Sequence, residues 1–364
     1  MIERLLGLTR LARRTPPAVG LTPADVVHRE NKWRLLRYRP TGGGPGDAPR
    51  HRTPVLLVPS LINRHYVLDL TPGKSFVEAM VARGHDVFII DWGTPAAEDR
   101  FVDFDEICDR YIGRAVRVAA RVRDREGDGS GGKVHLLGYC LGGTLAVIHA
   151  AAHPERIASL VALAAPIDFD EAGIMARWVR TKSFDVGALV DAMGNVPWPL
   201  MQAAFHLLRP TLPLTKAVSL VERAWDDEFL DGFFAVERWS NDNVSFPGAC
   251  YRRYIEALYR DNALVTGRLS LAGQPVRLQR ITCPTLAVTF EGDHIVPEAS
   301  GRVLLDLVGS ADKRSIRLRG GHVGAVVSRK AATTLWPQLS AWWIEHDCAN
   351  DGPAHLPGAA NDSP

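Results

Sequence analysis

Val134-His-Leu-Leu137 runs directly into Gly138-Tyr-Cys-Leu-Gly-Gly143, and an apolar helical pattern then continues to His153. A short β-forming run, a glycine-rich turn and a helix, in that order, make the strand–turn–helix elbow that presents a nucleophile in G-x-S-x-G sequences, here with Cys140 in the serine position. The spacing has a steric reason. A tight turn thrusts the central side chain outward, and the flanking glycines allow chain packing that a Cβ would block. The sulfur then sits at a helix N-terminus, whose partial positive charge favours thiolate over thiol. The backbone N–H of Leu141 points into the space before it, supplying half of an oxyanion hole. The loop Pro59-Ser-Leu-Ile62 is expected to supply the other half, through the N–H of Leu61. The competing reading of Cys140 is a small buried residue in a glycine-rich turn.

Outward from the elbow, short β-rich runs alternate with longer helical patterns, the mark of a mostly parallel sheet covered by helices. Pro54-Val-Leu-Leu-Val58 and Asp86-Val-Phe-Ile-Ile90 lack polar interruptions, as expected of strands buried on both faces. Between them Ser75 is placed to cap a helix through Arg83 that turns Phe76, Met80 and Val81 inward. Asp103 opens a longer helix ended by the turn-forming run 125–132. Ile157 to Ala165 reads as another buried strand. Strand patterning returns at Pro284-Thr-Leu-Ala-Val-Thr-Phe290 and at Ser315-Ile-Arg-Leu318, before a last helix carrying Leu335, Leu339, Trp342 and Trp343.

From 167 to 281 the pattern is mainly helical, with Trp178, Trp198, Trp225 and Trp239 scattered through it. The simplest architecture is one open α/β sheet, helices on both faces, with a helical cap inserted after the sixth strand. There it would lie over the carboxyl edge of the sheet, where ligands bind in open α/β folds. The organisation read from sequence is an N-terminal segment 1–20, a core of 21–166 and 282–347, a cap or lid of 167–281, and a disordered tail 348–364. Trp198, Leu200, Met201 and Phe205 are assigned to the core rather than to an exposed face, because most aromatic clusters are internal.

Composition excludes several classes. The 364 residues carry 46% apolar and 23% charged residues, ordinary for a globular chain. A net charge of +2 gives no field for nucleic acid. Five scattered cysteines without a CxxC or a neighbouring His pair argue against a disulfide framework or a zinc site. The longest apolar stretch, Ile157 to Ile167, is far shorter than the roughly 20 residues of a membrane helix. A soluble cytoplasmic protein is expected, its basic first residues at most a weak interfacial helix.

A cysteine nucleophile needs a base and an acid, and chains with this elbow order them nucleophile, acid, histidine. Glu291-Gly-Asp-His294 and Gly320-Gly-His-Val-Gly324 each follow a strand, so both loops emerge at the elbow's edge. His322 is placed to take the thiol proton, and Asp293 to fix its tautomer. Twelve histidines make any one of them weak evidence. His294 is the competing base and Asp168 the competing acid. Cys108 and Cys283 read as core; Cys250 and Cys348 lack a positioned partner.

At these residues the sequence resembles a polyhydroxyalkanoate synthase, more closely the class III catalytic subunit. The resemblance rests on Val58-Pro-Ser-Leu-Ile-Asn-Arg64 with Tyr66-Val-Leu-Asp-Leu70, Gly84-His-Asp-Val-Phe-Ile-Ile-Asp-Trp-Gly93, and Gly138-Tyr-Cys-Leu-Gly-Gly-Thr144. It continues through Phe184-Asp-Val-Gly-Ala-Leu-Val-Asp-Ala-Met-Gly-Asn-Val-Pro197, Ile281-Thr-Cys-Pro284, Asp293-His-Ile-Val-Pro297 and Gly321-His322. It spans Gly20 to Trp343, cap included. It implies an α/β-hydrolase fold, with Cys140 acylated and His322 and Asp293 its partners. It further implies a hydroxyacyl-CoA substrate and a growing polyester, no cofactor (CoA is the leaving group), a second synthase subunit or a homodimer, and association with polymer granules.

The chemistry at Cys140 agrees with that reaction. Acyl transfer from CoA to Cys140 exchanges one thioester for another, and attack by the next monomer's hydroxyl then releases the thioester energy. His322 or Asp293 can each serve as base for that hydroxyl. Water would end the chain, which gives a water-excluding lid a purpose. Two other classes remain open at this point: a thioesterase or polyester depolymerase with the same triad, and a non-catalytic granule-associated protein.

Overall fold

The computed structural model describes residues 15–40, 49–125, 130–171, 173–208 and 212–347. The interfacial-helix reading of the first residues, the tail 348–364, Cys348 and the side chain of Phe205 lie outside them.

Eight strands form one sheet: β1 (Ala24–Glu30), β2 (Trp33–Tyr38), β3 (Val55–Val58), β4 (Val87–Asp91), β5 (Val134–Tyr139), β6 (Ile157–Leu163), β9 (Thr285–Phe290) and β10 (Lys313–Leu318). Their spatial order is β1-β2-β4-β3-β5-β6-β9-β10. From β4 to β10 every pairing is parallel, while β1–β2 and β2–β4 are antiparallel. The central strands have no solvent face, so their residues divide by alternation between two cores. Leu56, Val58, Phe88, Ile90, Leu136 and Leu160 face one way, packing with Ile112, Ala115 and Leu145. Val55, Leu57, Val87, Ile89, Leu137, Tyr139 and Val161 face the other, packing with Phe76, Met80, Trp336 and Trp343. At roughly 1.5–3 kcal/mol per fully buried large apolar side chain, these two layers are the main stabilising term.

The helices of the core follow the sequence closely. Ser75 caps α1 (Phe76–Ala82) by accepting from the Glu78 N–H at 2.9 Å. Asp103 accepts from the Asp105 and Glu106 amides, but the helix it opens begins with a π-helical turn, Asp105–Tyr111, before α2 (Ile112–Arg125). The elbow helix α3 (Leu141–Ala152) follows β5, and α10 (Arg329–Glu345) closes the fold.

Between β6 and β9 lie α4 (Gly173–Val179), α5 (Val186–Met193), α6 (Trp198–Leu208), α7 (Leu212–Glu222), α8 (Asp227–Asn241) and α9 (Gly248–Arg253). A π-helical segment Tyr254–Arg260 and a small hairpin of β7 (Ser270–Leu271) and β8 (Gln274–Pro275) complete the excursion.

Two sequence expectations need correction. The hairpin β1–β2 was not anticipated; β1 is an edge strand with a half-exposed burial pattern, so it lacks the continuous apolar run of the central strands. Met201 is buried, but Trp198 and Leu200 are 39% and 42% exposed. Trp178 and Trp225 share that exposure on the cap, whereas Trp239 is buried. A short helix cannot bury every face, and one-sided cap helices leave their outer apolar residues in water.

Candidate active site

Cys140 joins β5 to α3 with φ 56° and ψ −131°, a conformation L residues adopt at a cost of about 1–3 kcal/mol. The surrounding backbone holds it there. Its N–H donates to the Leu163 carbonyl at 3.0 Å, and its own carbonyl accepts from the Gly143 N–H at 2.8 Å. The glycines are required by contact. A Cβ on Gly138 would lie 2.4 Å from the Gly142 carbonyl oxygen, and one on Gly142 would lie 2.1 Å from that of Val58. This second approach presses the start of α3 against the loop after β3. The Leu141 amide, in the first turn of α3, has no carbonyl four residues back within the helix. Leu61 is buried in the adjoining loop.

The loops after β9 and β10 meet at the same edge. His322 Nδ1 and Asp293 Oδ2 are 2.6 Å apart, and both residues are buried. The second carboxylate oxygen of Asp293 accepts from the Ile295 and Val296 amides, each at 2.9 Å, which immobilises it. Cys140 and His322 line the same cavity, and the sulfur acts electrostatically on the imidazole. Burial pushes the His322 pKa down, but the neighbouring sulfur and the Asp293 carboxylate outweigh it and hold it at about 10. An imidazolium beside the sulfur is therefore favoured.

These residues open on a cavity of about 370 Å³. Cys140, His322, Ser60, Asn63 and Arg64 line its floor, while Gln202, His206, Lys216 and Trp239 reach it from the cap. Residues from the excursion between β6 and β9 thus line the same cavity as the sulfur.

A model of the alpha/beta hydrolase fold matches residues 53–323, and one of the poly-beta-hydroxybutyrate polymerase (PhaC) N-terminus matches residues 16–80. The poly(3-hydroxyalkanoate) polymerase subunit PhaC of Haloferax mediterranei is 37% identical over 330 residues, covering 90% of this chain and 65% of that protein. The corresponding subunit of Allochromatium vinosum is 34% identical over 341 residues, covering 93% of both. The chain belongs to the poly(3-hydroxyalkanoate) polymerase family. Polymerases of this kind are acyltransferases, and the fold is the α/β-hydrolase fold. Among solved structures, a monoacylglycerol lipase of Paleococcus ferrophilus matches with a TM-score of 0.51 at 19% identity, over 86% of this chain and 99% of that one, a likeness of fold.

Within this polymerase fold neither competing residue joins the Asp293–His322 pair. His294 is exposed on the cavity wall, while Asp293 pairs with His322. One Asp168 carboxylate oxygen accepts from the Asp170 amide and from Asn262 Nδ2 at 2.8 Å. Burial pushes the thiols of Cys108 and Cys250 up, and that of Cys283 up to about 11, so these three stay protonated.

Sequence reading missed Tyr139, the variable position inside the polymerase elbow. Its ring stacks on His322, centroids 5.3 Å apart, and its hydroxyl donates to the His322 carbonyl at 3.1 Å. The only available signal was its place on β5, which points it to the core face opposite Leu136. Tyr139→Phe keeps the stack and loses one buried hydrogen bond. The expected cost is about 1 kcal/mol, read as a lower urea midpoint with an unchanged m-value.

Proposed function

We propose that this chain polymerises (R)-3-hydroxyacyl-CoA, with 3-hydroxybutyryl-CoA as monomer, through an acyl thioester on Cys140. The observation that carries the reading is the Asp293–His322 pair beside a cysteine on a helix N-terminus, under a cap, in a member of the polymerase family. Cys140 sulfur attacks the thioester carbonyl, the Leu141 and Leu61 amides stabilise the oxyanion, and CoA leaves as its thiol with the proton held by His322. The 3-hydroxyl of the next monomer then attacks the acyl-Cys140, its proton passing to His322, and a new ester forms as the sulfur is released. Asp293 already accepts from two amides and from His322, which favours His322 over Asp293 as base for this hydroxyl. No cofactor is invoked; CoA is the leaving group.

The relatives are named polymerase subunits, which supports a second synthase subunit as partner. A homodimer, and a polymer granule surface as the working location, belong to the same proposal. Among the described residues no helix is long and apolar enough to cross a membrane.

The test supplies 3-hydroxybutyryl-CoA, with and without a candidate second subunit, and follows CoA and polymer together. CoA release matched by insoluble polyester is the expected result. Release matched by free 3-hydroxybutyrate would instead identify a thioesterase.

A further inference from the structure

The loop that carries Leu61 is gripped by the cap. At the end of α8, residues 239–244 lie along residues 62–66, with Asn63 and Asn243 forming an antiparallel bridge. The Val244 N–H donates to the Ile62 carbonyl at 3.1 Å, and Trp239 Nε1 donates to the Arg64 carbonyl at 2.8 Å. Asn63 Nδ2 donates to Asn243 Oδ1. At the centre of this contact is the Asp242 carboxylate. One oxygen accepts from Arg64 Nε at 3.0 Å, and the other accepts from the Tyr66 hydroxyl at 2.8 Å. Asn63, Arg64, Trp239 and Asn243 all line the cavity that holds Cys140, whereas Asp242 does not.

We infer that Asp242 is a positioning residue for attack on the thioester: by drawing Arg64 and Tyr66 together, it fixes the loop 60–64 and so sets the Leu61 N–H relative to Cys140. This rests on the proposed role of the Leu61 amide in the oxyanion hole. The physical basis is that a catalytic donor must be preorganised within a fraction of an ångström, and loops achieve this only when their supports are tied. The tethers of this loop are long-range. The Pro59 carbonyl is tied by Trp92 Nε1 at 3.0 Å, and the segment after Leu61 is tied by the cap. Charge-assisted bonds such as that from Arg64 to Asp242 are roughly twice as strong as neutral ones, so the carboxylate is the element whose loss loosens the loop most.

The readout separates positioning from general damage. Thioester attack builds negative charge on oxygen and needs the oxyanion donors. Alkylation of Cys140 by iodoacetamide builds none, and needs only the ionised sulfur and its histidine. Asp242→Asn is expected to lower kcat for CoA release from 3-hydroxybutyryl-CoA about tenfold or more, the lower range for a misplaced oxyanion donor, with KM changed less than about twofold. The rate of Cys140 alkylation stays at the wild-type value. Tyr66→Phe removes one arm with no change of charge and shows a smaller loss in the same direction. In the double variant the two losses combine less than additively, because both act through one carboxylate. Wild-type kcat in Asp242→Asn, or equal losses in kcat and in alkylation, overturns the inference. Cys140→Ala runs alongside. Continued CoA release there overturns the proposed mechanism itself, whereas a silent Cys140→Ala with a wild-type Asp242→Asn overturns only the role of Asp242.

Discussion

Cys140→Ala is expected to abolish CoA release and polymer formation, a loss of at least about a thousandfold in kcat, as when one member of a nucleophile–base pair is removed. Thiol titration of the folded protein should simultaneously lose its fastest-reacting group. The other described cysteines cannot replace it, because burial holds Cys108, Cys250 and Cys283 as protonated thiols. The fold should survive the change, since Cys140 is only partly buried and the space vacated opens on the cavity. A Cys140→Ala protein with wild-type melting behaviour and no CoA release separates chemistry from folding. Polymer made by that variant would end the covalent mechanism. Cys140→Ser tests the energetic argument further. It would hold the acyl group as an oxyester, a poorer acyl donor than a thioester, so chain growth should slow after acylation.

The second large effect is structural. Gly142→Ala is expected to destabilise the protein by about 3 kcal/mol or more, the cost of forced overpacking against groups that cannot move aside. The added Cβ would lie 2.1 Å from the Val58 carbonyl oxygen and 2.5 Å from that of Pro59, both backbone atoms. Relief requires parting α3 from the loop after β3, which also breaks the geometry around Leu61 and Leu141. Urea unfolding checks the first consequence and CoA release the second. Gly324→Ala is the control: a Cβ there meets nothing within 4 Å, and stability should stay within about 0.5 kcal/mol of wild type. Equal stability of the two variants would refute the packing account.

These two predictions differ in how early they were legible. Gly138, Cys140 and Gly142 stand in one short run, and their roles follow from local sterics. The strands β3 to β6 and β9 were equally legible, because burial on both faces writes an unbroken apolar run, whereas the edge strand β10 showed only through the alternation of Ile316 and Leu318 with charged residues. The edge hairpin β1–β2 was not, since a half-exposed strand resembles an ordinary surface segment. Trp198 and Leu200 were misplaced for a related reason: hydrophobicity states what prefers to leave water, not which residues the neighbouring helices leave room to cover. Tyr139 gave only the weak signal of its place on β5, and Asp242 gave none. One occupies the variable position of its motif, and the other is a carboxylate on a cap helix end, a place where acids are common.

The sequence by itself determined the elbow, the chemistry available at Cys140, the chain order of nucleophile, acid and histidine, and the family. The elbow and its chemistry are written in neighbouring residues, where steric and periodic constraints act over a few positions, and the order and the family in short motifs read one after another along the chain. Only the tertiary structure decided that His322, rather than His294, pairs with Asp293 across 29 positions, that Tyr139 lies against that ring, and that a cap segment ties the loop beside Leu61. Such contacts are set when distant strands and helices pack together, and packing leaves no period in the chain for a reader of sequence to find.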